Sequence, residues 1–195
     1  MPGATRDEID AIFHLYDPPV WLITTRAGTL AGGLIATSVS RVSIVPDQPR
    51  VLLTIAKQHF TWGLIESSER FVLHLLAADD LDTVWRFGLA SGREVEKLAG
   101  LAVSETPAGA PRYDGALAWL DCRVEARLDI GDRTAYLAAV SDGARLRQAP
   151  TLTVATLLQQ ASPEHREALR RLHRRDQAID RAAIHAWRGT RDGGD

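Results

Sequence analysis

The chain has 195 residues, 45% hydrophobic and 25% charged, enough apolar side chains for one globular domain with a proper core. A formal net charge of −2 gives no global case for nucleic acid or an anionic membrane, and the single cysteine, Cys122, excludes an intrachain disulfide. The polar, acidic start MPGATRDEID lacks the order of a secretory leader, and no apolar run is long enough to span a bilayer, so the expectation is a cytoplasmic protein with no membrane or nucleic-acid partner.

Thr5 to Leu15 reads as a short helix, with Thr5 as N-cap, Glu8 three residues later and Ile9, Ile12 and Phe13 on one face. Pro18-Pro19 stops it. Val20 to Thr25 is β-branched and apolar, a strand followed by a turn at Arg26 to Thr29. Gly28, Gly32 and Gly33 invite a nucleotide-loop reading, but such a glycine run must open a helix whose N-terminus holds the phosphate. Here Ile35, Thr37, Val39, Val42 and Ile44 follow, which is strand composition, so the glycines belong to a hairpin.

Leu34 to Val45 carries hydroxyls at Thr37, Ser38, Ser40 and Ser43, and a turn at Pro46 to Pro49 leads to the strand Val51 to Ile55. That strand runs through Ala56 into Lys57-Gln58-His59, with Thr61 just beyond. Two neighbouring strands ending in small hydroxyls, a lysine and free backbone N–H groups make an anion cradle. The same residues also suit a half-exposed strand and a solvated turn.

Thr61 to Ser67 is a predicted helix with Trp62 and Ile65 facing inward, and Phe71 to Leu76 is a strand. Ala78-Asp79-Asp80 caps a helix carrying Leu81, Val84, Trp85 and Phe87; residues 88 to 114 read mostly as loop. Trp119 to Leu128 and Thr134 to Val140 form two antiparallel strands joined at Asp129 to Asp132. Short strands separated by turns, with few helices between them, predict a mainly antiparallel barrel.

Ser162-Pro163-Glu164 starts a C-terminal helix. Leu169, Leu172, Ile179, Ala183 and Trp187 form a narrow apolar stripe, and arginines interleaved with Glu164, Glu167, Asp176 and Asp180 make the other faces solvated and salt-bridged. The stripe suits packing across a subunit interface, and residues from Arg188 onward are expected to be disordered.

Familiar catalytic arrangements are missing. There is no HExxH, no CxxC and no GxSxG, so neither a zinc site nor a serine hydrolase is expected. Cys122 sits inside a strand as an inert thiol, and His74 lies in an apolar strand as a core or rim histidine. Such poverty suits an enzyme whose cofactor carries the chemistry.

The run from Ala36-Thr37-Ser38-Val39-Ser40 through Pro46, Pro49 and Thr61-Trp62, then Arg70 to Leu76, resembles the flavin reductase-like family of FMN-binding split barrels. The likeness continues through Trp85-Arg86-Phe87, Lys97-Leu98-Ala99-Gly100, Gly115 to Cys122 and Gly131-Asp132, covering roughly residues 15 to 145. It implies a mainly β, antiparallel split β-barrel with short peripheral helices over residues 1–148 and a helical C-terminal extension over 149–195. By the same resemblance, Thr37, Ser38, Val39 and Ser40 lie along the isoalloxazine edge. Ser43, Ala56, Lys57, His59 and Thr61 reach the ribityl chain and phosphate, and Arg86 approaches the flavin.

The implied reaction is hydride transfer from C4 of NADH or NADPH to N5 of FMN or FAD, with no catalytic side chain required. The implied partners are a second copy, as a homodimer, and a monooxygenase that uses the reduced flavin. Three features depart from the family pattern. Arg133 stands where a His commonly follows the Gly-Asp pair, on the nicotinamide side. Lys57-Gln58-His59-Phe60 replaces small serines, and the arginine-rich helix is longer than a minimal reductase needs. An FMN-binding electron carrier or oxidase, and a non-enzymatic interaction module, remain the alternatives.

Overall fold

A computed structural model describes residues 3–192. Helix α1 (Arg6–Phe13) begins where its cap residues require: the Glu8 amide donates to the Thr5 hydroxyl at 3.3 Å, and the Thr5 amide donates back to the Glu8 carboxylate at 2.6 Å. Its apolar face has no cover among the described residues, since Ile12 and Phe13 are 62% and 72% exposed.

Nine strands follow among the described residues: β1 (Trp21–Ala27), β2 (Leu30–Ala36), β3 (Val39–Arg41), β4 (Arg50–Ala56), β5 (Arg70–Leu75), β6 (Val103–Glu105), β7 (Pro111–Tyr113), β8 (Ala118–Asp129) and β9 (Arg133–Arg145). Seven form one antiparallel sheet in the order β2-β1-β5-β8-β9-β4-β3. Its two edge strands, β2 and β3, are separated in the chain only by Thr37 and Ser38. Three peptide units reach about 11 Å at most, so the sheet has to curl until its edges nearly meet. This is the split barrel.

The inward positions fill the barrel. Ile23, Leu53, Phe71, Leu73 and Tyr136 are each inaccessible to solvent, as the period of two along each strand requires. Gly33 on β2 is needed for close approach: a Cβ there would lie 2.7 Å from the Ile23 carbonyl oxygen and 2.9 Å from the Phe87 ring. Cys122 is buried in this core, and burial pushes its thiol up, away from the reactive thiolate. His74 is a core histidine, fully buried on β5.

Helices decorate the barrel. Besides α1 they are α2 (Phe60–Ser68), α3 (Leu81–Leu89), α4 (Val154–Gln160) and α5 (Pro163–Asp192). Before α4, residues 151–153 return to the sheet through isolated bridges to Ala77 and Pro19, and Leu152 is fully buried. Ser162 opens α5 as the sequence predicts, accepting from the His165 amide at its hydroxyl and from the Arg166 amide at its carbonyl.

Three expectations are corrected. The predicted strand Leu34 to Val45 breaks at Thr37-Ser38 and ends at Arg41, because the sheet changes edge there. Residues 88 to 114 are not all loop: β6 and β7 pair as a small hairpin whose Pro111 carbonyl accepts a hydrogen bond from the buried Thr24 hydroxyl. Finally, α5 continues through residues 188 to 192, with the Arg191 guanidinium 4.4 Å above the Trp187 ring; residues 193–195 lie outside the described residues. Among the described residues, no helix is long and apolar enough to cross a membrane.

Candidate functional site

The site is built where β2 leaves the barrel and β4 turns into α2. Ala56, at the end of β4, is buried and pairs with Arg133 on β9. The chain then turns tightly: the Lys57 amide donates to the Asp132 carbonyl and the His59 amide to the Ala56 carbonyl. His59 occupies the N-cap of α2 with no side-chain cap bond, which leaves first-turn amide donors available to a ligand.

A cavity of about 620 Å³ opens beside this turn. Its floor comes from Gly33, Leu34 and Ile35 of β2, one side from Gln58 to Thr61, the other from the loop after α3, and its roof from α5. Thr37 follows Ile35 by two residues, so the hydroxyl-bearing edge comes next along the chain after the cavity floor, while Thr37 to Ser40 do not themselves line the cavity. Thr37, Ser38 and Ser40 are exposed on that edge, and Val39 between them is half-buried against the barrel core.

Two residues of the cavity wall bury polar side-chain groups. Both amide atoms of the Gln58 side chain are shielded from solvent with no hydrogen-bond partner. Lys97 is buried, with its ammonium donating to the Phe87 carbonyl at 2.7 Å and the Gly33 carbonyl at 3.3 Å. Burial lowers its pKa from 10.5 to about 8. Burial also lowers the His59 pKa, with Asp176 opposing it.

The structure distributes the sequence-predicted residues unevenly. His59 and Thr61 line the cavity, and Thr37 to Ser40 lie outside its lining, on the stretch that follows its β2 floor. Ser43 lies in a local turn, its hydroxyl accepting from the Val45 amide and its carbonyl from Arg41. The Lys57 ammonium is held by Asp129 at 2.6 Å and is not among the cavity residues. Arg86 pins the following loop through the Ala99 carbonyl at 2.9 Å. Arg133 is clamped between Asp132 at 2.8 Å and Asp180 of α5 at 2.7 Å.

Sequence reasoning missed the inward Gln58 amide, the role of Lys97 and the α5 roof. Lys97 stood within a family-like stretch, yet nothing local marks a lysine whose partners lie 10 and 64 residues away. Among the described residues, no group of three or more His, Cys, Asp or Glu is placed to hold a metal ion.

The flavin reductase like domain family matches residues 13–159. The chain belongs to this family. In a flavin reductase-like protein, unpartnered amide atoms, a buried cation and open helix N–H groups beside a hydroxyl edge fit a ring-bearing phosphorylated cofactor. Among curated relatives, the chain is 30% identical over 144 residues to a high molecular weight rubredoxin of Moorella thermoacetica, covering 73% of this chain and 62% of that protein. It is 33% identical over 129 residues to the reductase subunit of a flavin-dependent monooxygenase from Rhodococcus jostii, covering 66% and 64%. The chain thus spans less than two thirds of these relatives' own length.

Two solved structures share the fold. Nitrilotriacetate monooxygenase component B from Mycobacterium thermoresistibile aligns with a TM-score of 0.64 at 25% identity, covering 80% of this chain and 92% of that one. The NADH:FAD oxidoreductase of Streptomyces globisporus C-1027 aligns with a TM-score of 0.68 at 22% identity, covering 78% and 93%.

Proposed function

We propose that this protein is an NAD(P)H-dependent flavin reductase, using FMN or FAD. The observation that carries the reading is that, in a member of this family, the uncapped start of α2 brings His59 and Thr61 against Gly33 to Ile35 of β2 around one cavity, with the Thr37-Ser40 edge next along the chain. A bound flavin supplies a hydride acceptor at N5 for the hydride on nicotinamide C4. The protein's part is to bind and align. Backbone and hydroxyl groups of Thr37, Ser38, Val39 and Ser40 hold the ring edge, and His59, Thr61 and the α2 amides hold the phosphorylated chain. No side chain needs to move a proton as a strong acid or base, so the rate comes from proximity and alignment.

A cytoplasmic homodimer that feeds a monooxygenase accompanies this reading. The exposed α1 face supports the dimer, and the likeness to a monooxygenase reductase subunit supports the partner. One observation favours a second reading, a flavin-binding carrier or oxidase. Arg133, at the position where a nicotinamide-side His is common, is occupied by two carboxylates.

The test is the visible spectrum of purified protein after loading with FMN or FAD and desalting, followed by anaerobic NADH or NADPH. Rapid bleaching of the flavin band is expected. A band that persists with both donors replaces the reductase with the carrier or oxidase, and failure to bind any flavin removes both.

A further inference from the structure

Four segments wall the cavity, and three of them are tied into the body. Gly33 to Ile35 belong to β2 of the sheet, and the Lys57 and His59 amides fix the turn before α2. Arg93 and Lys97 hold the loop after α3 through the Gln58, Phe87 and Gly33 carbonyls. The α5 roof is different. No residue from Pro163 to Arg191 is buried, and among the described residues no backbone hydrogen bond joins α5 to any residue before Ser162.

The helix is built to move as one piece. It runs without an internal glycine or proline from Glu164 to Arg188, and its own side chains brace it, Arg170 and Arg174 on Glu167 and Gln177 on His173. The support behind it is fixed and the joint is short. Helix α4 is anchored by the buried Leu157 and by the Asp17 carboxylate, which accepts from the Ala155 amide. Only Ala161 and Ser162 separate α4 from Pro163. Ala161 is extended, at φ −64° and ψ 136°, and Pro163 has no amide hydrogen to tie α5 back. A continuous helix joined to a fixed support through two non-helical residues is a hinge.

Little holds the roof down. Near the joint, the Arg166 guanidinium donates to the Gln159 carbonyl at 3.1 Å and the His165 and Trp85 rings stack at 4.2 Å. Toward the far end, Trp187 packs over Gly131, and Arg133 donates to Asp180 at 2.7 Å. Among the described residues, Arg133–Asp180 is the one ion pair between α5 and the barrel. Asp132 pairs with the same guanidinium at 2.8 Å, so the cation keeps a partner if Asp180 leaves for water. We propose that α5 is a hinged lid over the cavity, pivoting at Ala161-Ser162 and latched closed by Asp180 on Arg133. Arg133 is thereby a positioning residue, which acts on a ligand through α5. The lid follows from how the helix is attached; its use with flavin rests on the flavin reductase reading.

Pulsed EPR between two nitroxide labels tests the lid in the full chain. Thr29 on the β1–β2 turn and His185 on α5 are both exposed, so Thr29→Cys and His185→Cys take the labels, while the buried Cys122 escapes them. The lever from Ser162 to residue 185 is about 35 Å, so a pivot of about 20° carries that label by roughly 12 Å. A closed and an open distance are expected. The ratio of open to closed should rise about 5-fold in Asp180→Ala, the weight of one partly exposed ion pair, and return in Asp180→Glu. In stopped flow, FMN should associate with unlabelled Asp180→Ala about 5-fold faster than with the parent, as a gate that is mostly shut requires. A single distance that Asp180→Ala leaves unchanged overturns the lid, and so does an unaltered FMN association rate. If FMN binds to neither protein, the flavin reading fails and the two distances alone decide the lid.

Discussion

His74 makes the stability of this protein depend on mild acid. The imidazole is fully buried on β5, where Nδ1 lies 3.1 Å from the Leu22 carbonyl and Nε2 lies 3.0 Å from the Tyr113 amide. An amide nitrogen can only donate and a carbonyl can only accept, so the ring must be neutral with its proton on Nδ1. Protonating Nε2 would break the Tyr113 bond and bury a charge. Burial, the largest influence, and the positive Arg112 outweigh the Leu22 carbonyl and Asp114, and the pKa falls from 6.5 to about 4. The unfolded chain therefore binds more protons than the folded one between these values. The stability is fully present above about pH 6.5 and is lost as the pH falls toward 4. At about 1.4 kcal/mol per pKa unit, His74 alone should remove ~2 kcal/mol between about pH 7.5 and pH 5. Urea unfolding followed by tryptophan fluorescence across that range measures the loss, with His74→Leu as the comparison in which this slope disappears. An NMR titration of the folded protein that places His74 near its ordinary pKa, or an unchanged slope in the variant, would refute the reasoning.

Gly33→Ala should cost about 1–3 kcal/mol, since the new methyl meets the backbone oxygen of Ile23, which cannot swing away as a side chain would. Thermal unfolding measures it, and an unaltered melting temperature would mean that the β1–β2 hairpin can splay. Trp187→Ala should release the end of α5 from the β8–β9 turn, where Gly131, at φ +97°, leaves room for the indole. Hydrogen exchange should then speed up over α5 beyond Ile179 and stay slow in the barrel strands. Uniform speeding throughout the chain would show that α5 and the barrel unfold as one unit.

Much of the fold is legible in the sequence, because local rules control it. Thr5 and Glu8 announce the first helix, Ser162-Pro163-Glu164 the last, and alternating or continuous apolar residues mark β4, β5, β8 and β9. The β6–β7 hairpin escapes such a reading because its strands are three residues long and depend on contacts with β1 and β5 rather than on a pattern of their own. The hydroxyl edge at Thr37 to Ser40 is visible as composition and by family resemblance. The cavity beside β2 is not, since Gln58 and Lys97 acquire meaning only where distant segments enclose them.

The sequence alone determined most of the strands and helices, where α5 begins and that the thiol of Cys122 is a core group, because these follow from neighbours along the chain. The tertiary structure alone decided that Lys57 and Arg133 are occupied by Asp129 and by Asp132 with Asp180, and that α5 roofs a pocket. The physical reason is range. Propensity and periodicity act over a few residues, whereas an ion pair or a buried, unpartnered amide depends on which remote group the folded sheet brings within a few ångströms.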